Sequence, residues 1–131
     1  MPEGLKPGLI GQASVLVDET NIAEAFGNPG ARVYATPMLV ALMEQASIDA
    51  IRACLLPGES SVGTKIEMTH LAATPVGMNV TAKAELLEVA GKKLIFEVVA
   101  SDASETVGKC RHERYLVLDM PGFLAKAASK K

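Results

Sequence analysis

The chain has no tryptophan and only three phenylalanines and two tyrosines in 131 residues. A core built on stacked aromatic rings is excluded. The interior must be aliphatic, which a 49% share of hydrophobic residues permits. Charge of one sign is not in excess either: the net charge is −2 and no basic or acidic run is long. That argues against a surface built on phosphate contacts, so no nucleic acid is expected as a partner. Cysteine is scarce. Cys54 and Cys110 have no CxxC or metal-type spacing, so two free thiols in a reducing compartment are expected rather than a disulfide. His70 and His112 are far apart in sequence and no Cys/His cluster exists, so no metal site is expected. No apolar run reaches the ~18 residues of a membrane span. The start, MPEGLKPGLIGQASVLVDET, lacks a basic stretch followed by an apolar one, so no secretory signal is expected. A soluble cytoplasmic protein without a membrane partner is the expectation. With no repeat, linker or low-complexity tract, residues 1–131 read as one domain.

What is present has a simple order. Residues 1–8 hold two Pro and two Gly and read as a loose arm. LIGQASVLVDE alternates as a first strand, and TNIAEAFGNPG reads as a short helical turn capped by Thr20 or Asn21. A long helix is predicted from about Pro37 to Leu55, with Thr36 as N-cap, Pro37 at the first helical position and Pro57-Gly58 as the stop. Four strands in meander-like succession are predicted after it, at 60–74, 78–89, 93–102 and 107–119, then a weak C-terminal helix within 120–131. One long apolar helix cannot bury itself. A sheet of about five strands curling round it would cover a wide arc, which gives an α+β fold.

Inside that helix sits one carboxylate without a basic residue at i±3 or i±4, Glu44. At ~100° per residue it shares a face with Val40, Ala41, Ile48, Ile51 and Leu55. Gln45, Asp49 and Arg52 form a separate, solvated arc. Glu44 is therefore expected to enter the interior or an interface. A carboxylate drawn out of water becomes a general base or nucleophile, or else a structural group bonded to backbone amides or to a partner subunit. In SVGTKIEMTHLAAT, His70 continues the row Val62, Thr64, Ile66 and Met68, which is expected to face the helix. An inward His with an inward Glu is a better catalytic candidate than either alone. Thr36 reads first as a plain N-cap. A hydroxyl among the free N–H groups of a helix start also suits a developing oxyanion.

The segment YATPMLVALMEQASIDAIRACLLPGESSVGTKIEMTHLAATPVGMNVTAKAELLEVAGKKL, with HER further on, resembles the fluoroacetyl-CoA thioesterase family of the hotdog-fold superfamily over roughly residues 33–119. The resemblance rests on a Thr ahead of the helix, LMEQA within it, GT opening the next strand, THLAATPVGM ending it, and HER in the last strand. It implies a hotdog fold, an antiparallel sheet wrapped round a central helix. It also implies a homodimer with two active sites at the interface, and leaves open whether the dimer goes on to a tetramer. The family's catalytic Thr, Glu and His fall on Thr36, Glu44 and His70. Its substrate-contacting Gly falls on Gly63, and a basic residue that contacts coenzyme A falls on Arg114. Without the resemblance, Gly63 reads as a strand irregularity or a close backbone approach, and Arg114 as an exposed strand residue.

The activity so implied is hydrolysis of a small acyl-CoA. Glu44 activates water or attacks the thioester carbonyl. His70 binds substrate, orients Glu44 or water, and protonates the thiolate. Thr36 hydrogen-bonds carboxylate, water or oxyanion. Arg114, with Lys65 or Lys109, meets the phosphates. CoA is then part of the substrate, and no cofactor is expected. The Phe-rich lid of the fluoroacetyl-specific enzyme is missing: FGNPGARVY stands there, with Phe26 and Tyr34 its only aromatics. The acyl group is therefore left open. Two other readings compete: a non-catalytic acyl-CoA sensor or carrier on the same fold, and a hydratase. The latter would need an Asp/His pair on the helix and its preceding loop, which the chain lacks.

Overall fold

The computed structural model describes all 131 residues. Five strands, β1 (Ile10–Leu16), β2 (Ser60–His70), β3 (Asn79–Ala90), β4 (Lys93–Ser101) and β5 (Thr106–Val117), form one sheet in the order β1-β3-β4-β5-β2. Every pairing is antiparallel. The long helix α1 (Thr36–Ile51) precedes β2, and α2 (Met120–Ala128) ends the chain. The expected wrap of sheet around helix is found, and β2 and β1 are its two edges.

Periodicity explains the core. One face of α1 buries Leu39, Leu42, Met43, Ala46, Ala50 and Ile51, the i, i+3, i+4, i+7 pattern of a packed helix. The sheet answers with alternate residues: Val80, Ala82, Ala84 and Leu86 on β3, and Leu94, Phe96, Val98 and Ala100 on β4. Small residues let the layers close. Gly11 of β1 lies so near α1 that a Cβ there would stand 2.2 Å from Ala50 N and 2.4 Å from Ala46 O. Gly108 of β5 makes a similar approach to Leu39.

Several boundaries differ from the sequence reading. The helix stops at Ile51 and runs into a single 3-10 turn, Arg52–Cys54, instead of continuing to Leu55. Its N-cap is Ala35, whose carbonyl accepts from Met38 N and Leu39 N, and Thr36 lies within the first turn. The short turn at Ala23–Phe26 is capped by neither Thr20 nor Asn21; Asn21 instead donates to Leu16 O and accepts from Asp18 N. The end of the N-terminal arm meets the sheet: Gly8 N donates to Leu86 O at 2.8 Å, and Leu5 and Leu9 pack against the core. No helix is long and apolar enough to cross a membrane.

A β-bulge decides which side chains of β2 face the helix. On β2 the partner of Gly63 is Arg114 and the partner of Lys65 is Glu113, so Thr64 is an extra residue. A bulge shifts the alternation by one. The inward row is Ile66, Met68 and His70 beyond it, but Ser61 and Gly63 before it, not Val62 and Thr64. Thr64 instead donates its hydroxyl to Glu113 Oε2 at 2.7 Å.

Candidate active site

The candidate residues gather in two clusters at opposite ends of β2. The first is at the start of α1. The segment entering the helix is held by backbone bonds from Tyr34 N to Thr74 O and from Ala35 N to Asn21 O, both 2.9 Å. The buried Tyr34 phenol donates to Met38 O at 2.9 Å, and burial pushes its pKa up to about 12. Thr36 is thereby set over the end of β2. Its hydroxyl shares a 2.8 Å hydrogen bond with His70 Nδ1. The other ring nitrogen, Nε2, is closed off from water and has no partner within the chain. Such an orphaned group costs about 1–3 kcal/mol and calls for an explanation beyond packing. A recess of about 360 Å³ adjoins the pair, walled by Ala23, Ala31, Val33, Ala72 and Ala73.

Because the Thr36 hydroxyl bonds His70 and no backbone N–H of the helix, it does no capping. Thr36→Ala should therefore leave the melting temperature nearly unchanged, where loss of a true cap would cost about 1 kcal/mol. It should lower turnover, and Thr36→Ser should restore it.

The second cluster surrounds Glu44, two turns further along α1. Glu44 is neither isolated nor sealed: its side chain is 38% exposed and Arg114 Nη1 donates to its Oε2 at 2.8 Å. The guanidinium is buried. Arg114 is only 3% exposed and also donates from Nε to Ser61 Oγ at 2.8 Å and from Nη2 to Ser61 O at 3.0 Å. A buried arginine so saturated is a rigid fork that fixes a carboxylate in place. Gly63 completes the arrangement. A Cβ there would be 2.6 Å from Glu44 Oε2 and 3.2 Å from His112 Cε1, so only glycine leaves room for the carboxylate.

His112 is the member that sequence reasoning passed over. It is 2% exposed, with Nδ1 2.9 Å from Lys65 O and Nε2 3.2 Å from Arg114 Nη1. Burial, above all, pushes its pKa below the ordinary histidine value, with Arg114 adding to the effect against the opposing pull of the Lys65 carbonyl. The HER segment carried the signal: His112 and Arg114 are two apart and so share a strand face.

Within one chain the two clusters do not meet. Gly63 and His70 are seven residues apart on β2, roughly 20 Å, and Thr36 and Glu44 are separated by about 12 Å of helix. The face of α1 around Glu44 is also unfinished: Val40 and Ala41 are half-buried and Ile48 is 37% exposed. Lys65, expected to meet phosphate with Arg114, pairs with Glu67 at 3.0 Å on the outer face of the sheet.

Known proteins resemble this chain in sequence and fold. Residues 17–119 match the model of the fluoroacetyl-CoA-specific thioesterase family. A fluoroacetyl-CoA thioesterase of Streptantibioticus cattleyicolor is 45% identical over 98 residues, 75% of this chain and 70% of that protein. A fluoroacetyl-CoA thioesterase mutant solved in complex with acetyl-CoA is 34% identical, with a TM-score of 0.88 over 97% of this chain and 99% of that one. A Thermus thermophilus protein described as a thioesterase superfamily member shares the fold, at 24% identity and a TM-score of 0.85 over 97% of this chain and 93% of that one.

Proposed function

This chain belongs to the fluoroacetyl-CoA-specific thioesterase family, and from that premise we propose that it hydrolyses an acyl-CoA thioester to the free acid and CoA at a site shared by two subunits. The observation that carries the reading is the Glu44 carboxylate, half-open to solvent yet oriented by a buried arginine. It is poised to react instead of merely closing an ion pair.

The site is completed by a second copy. β2 is an edge strand eleven residues long, and an unpaired edge of that length is a template for another strand. Antiparallel pairing of two β2 strands about a two-fold axis at Glu67 sets Gly63 against His70 of the partner subunit, since with Thr64 bulged out of the register both lie three places from the axis. Glu44 then approaches the Thr36–His70 pair of the other chain, and the half-open strip of Val40, Ala41 and Ile48 is covered. The protein is a homodimer with two such sites in this reading. The free thiols suit the cytoplasm.

The chemistry follows from what each group holds. Glu44 attacks the thioester carbonyl carbon, or removes a proton from water that does so. The oxyanion is received by backbone N–H groups at the Gly63–Thr64 bulge and by the Thr36 hydroxyl. As the C–S bond breaks, His70 protonates the CoA thiolate. In the nucleophilic route, water then cleaves the acyl–Glu44 anhydride. The recess walled by alanines beside Thr36 takes the acyl group, where the family's aromatic lid is absent.

The test is thiol release from acetyl-, fluoroacetyl-, propionyl- and longer acyl-CoAs. Cys110 adds no background, because burial pushes its thiol up to about 12. Release of CoA from at least one ester supports the reading. Tight binding without release from any would replace it with the sensor.

A further inference from the structure

Glu44 ends a buried polar chain, and its far member has a single allowed protonation state. The Lys65 carbonyl only accepts, so His112 Nδ1 carries the hydrogen across the 2.9 Å contact. A guanidinium only donates, so His112 Nε2 must offer a lone pair to Arg114 Nη1 at 3.2 Å. Both contacts demand the same neutral tautomer. Nη1 has two hydrogens, and these two acceptors, Glu44 Oε2 and His112 Nε2, use both.

We propose that His112 is a positioning residue for Glu44: as a neutral imidazole it fixes the Arg114 guanidinium, and through it the carboxylate, so that protonation of His112 releases Glu44 from its working orientation. The inference rests on Glu44 being the reactive group in the function proposed above.

The surroundings of the ring explain why a proton would act as a switch. From β4, Phe96 packs against it, with ring centroids 6.3 Å apart. From α1 comes Glu44 Oε2, 3.9 Å from Nε2. From β2 comes the Lys65 carbonyl, and from β5 come Arg114 and the neighbouring Glu113. A proton on Nε2 would face the Arg114 donor across 3.2 Å, two cationic donors with no acceptor between them. The nearest acceptor is the Glu44 oxygen already held by Arg114. Acidification therefore sets two donors competing for one carboxylate oxygen. The Thr64 bulge is the backbone device behind this, because it brings Ser61 and Gly63 onto the face of His112 and Arg114.

Two full-length variants test it. Gln in place of His keeps an acceptor for Arg114, and Leu removes it. His112→Leu should lower kcat on the order of 100-fold, the effect of about 1 Å of misplacement, with KM within about threefold. His112→Gln should recover most of that loss. The wild-type pH–kcat profile should lose activity on the acid side through two ionisations, and that of His112→Gln through one. Side-chain 13C NMR of Glu44 gives a second readout that needs no turnover: the carboxyl should report two titration steps in the wild type and one in His112→Gln, a comparison that stands if His112→Leu does not fold. Identical single-step Glu44 titrations in both proteins, or a wild-type acid limb retained in His112→Gln, would overturn the proposal. If no acyl-CoA is hydrolysed but the two-step titration is seen, the proposed function fails while the coupling of His112 to Glu44 stands.

Discussion

Glu44→Gln should reduce kcat for acyl-CoA hydrolysis by at least about 10³-fold, the scale expected when the nucleophile or base itself is lost. The substitution is close to isosteric. The amide oxygen can still accept from Arg114 Nη1, so the buried guanidinium is not left without a partner, which would itself cost several kcal/mol. The amide lacks the negative charge that either attacks the carbonyl or takes a proton from water. Thermal stability should therefore stay close to wild type while turnover is lost. Truncation to alanine mixes the two effects, because Arg114 would then face a cavity. Turnover within tenfold of wild type for Glu44→Gln, measured on the best acyl-CoA, would reject the carboxylate as the reacting group.

Gly11→Ala should be the most damaging small change to the fold. The added Cβ would stand 2.2 Å from Ala50 N, 2.4 Å from Ala46 O and 2.6 Å from Ala50 Cα. These are backbone atoms of α1, which cannot rotate aside like the end of a side chain. The helix must move from β1, and with it the contacts of Leu39, Met43 and Ile51 in a core that tolerates overpacking poorly. A cost of about 3 kcal/mol or more follows, which for a domain of this size lowers Tm by about 10 °C. A melting curve superimposable on wild type would mean that α1 and β1 are not so closely apposed. Activity should fall with stability in this variant, because Glu44 sits on the displaced helix.

The contrast between these two sites shows where reading a sequence succeeds. Glu44 stands out because helix geometry places a charge on an otherwise apolar arc, and that geometry is local. The succession of elements along the chain follows from composition and spacing, although their order in the sheet departs from a simple meander because β2 pairs with β5 and not with β3; His70 falls on the inward face because Ile66, Met68 and His70 keep a period of two. The row fails at Thr64. One extra residue shifts the alternation, and the bulge is created by pairing with β5, which lies far along the chain. That single shift hides why Gly63 faces inward beside the carboxylate and why Ser61 meets Arg114. It also hides the partner of Glu44. An arginine in a strand is normally placed in solvent, yet Arg114 is buried with each nitrogen of its fork engaged. Thr36 misleads for a related reason: as the residue before Pro37 it reads as a cap, but the chain delivers its hydroxyl to His70, thirty-four residues on.

The central claim is that Glu44 of one chain works with Thr36 and His70 of another. Mixing Glu44→Gln protein with His70→Ala protein, after unfolding and refolding together to exchange subunits, tests it most directly. Each variant alone lacks one member of every site. In a mixed dimer, one site combines intact Glu44 from the second variant with intact Thr36 and His70 from the first, while the other site lacks both. Thiol release from acyl-CoA should reappear in the mixture, approaching about a quarter of wild-type activity for random exchange between equal amounts. A mixture no more active than its two components, with subunit exchange verified, would contradict the shared site.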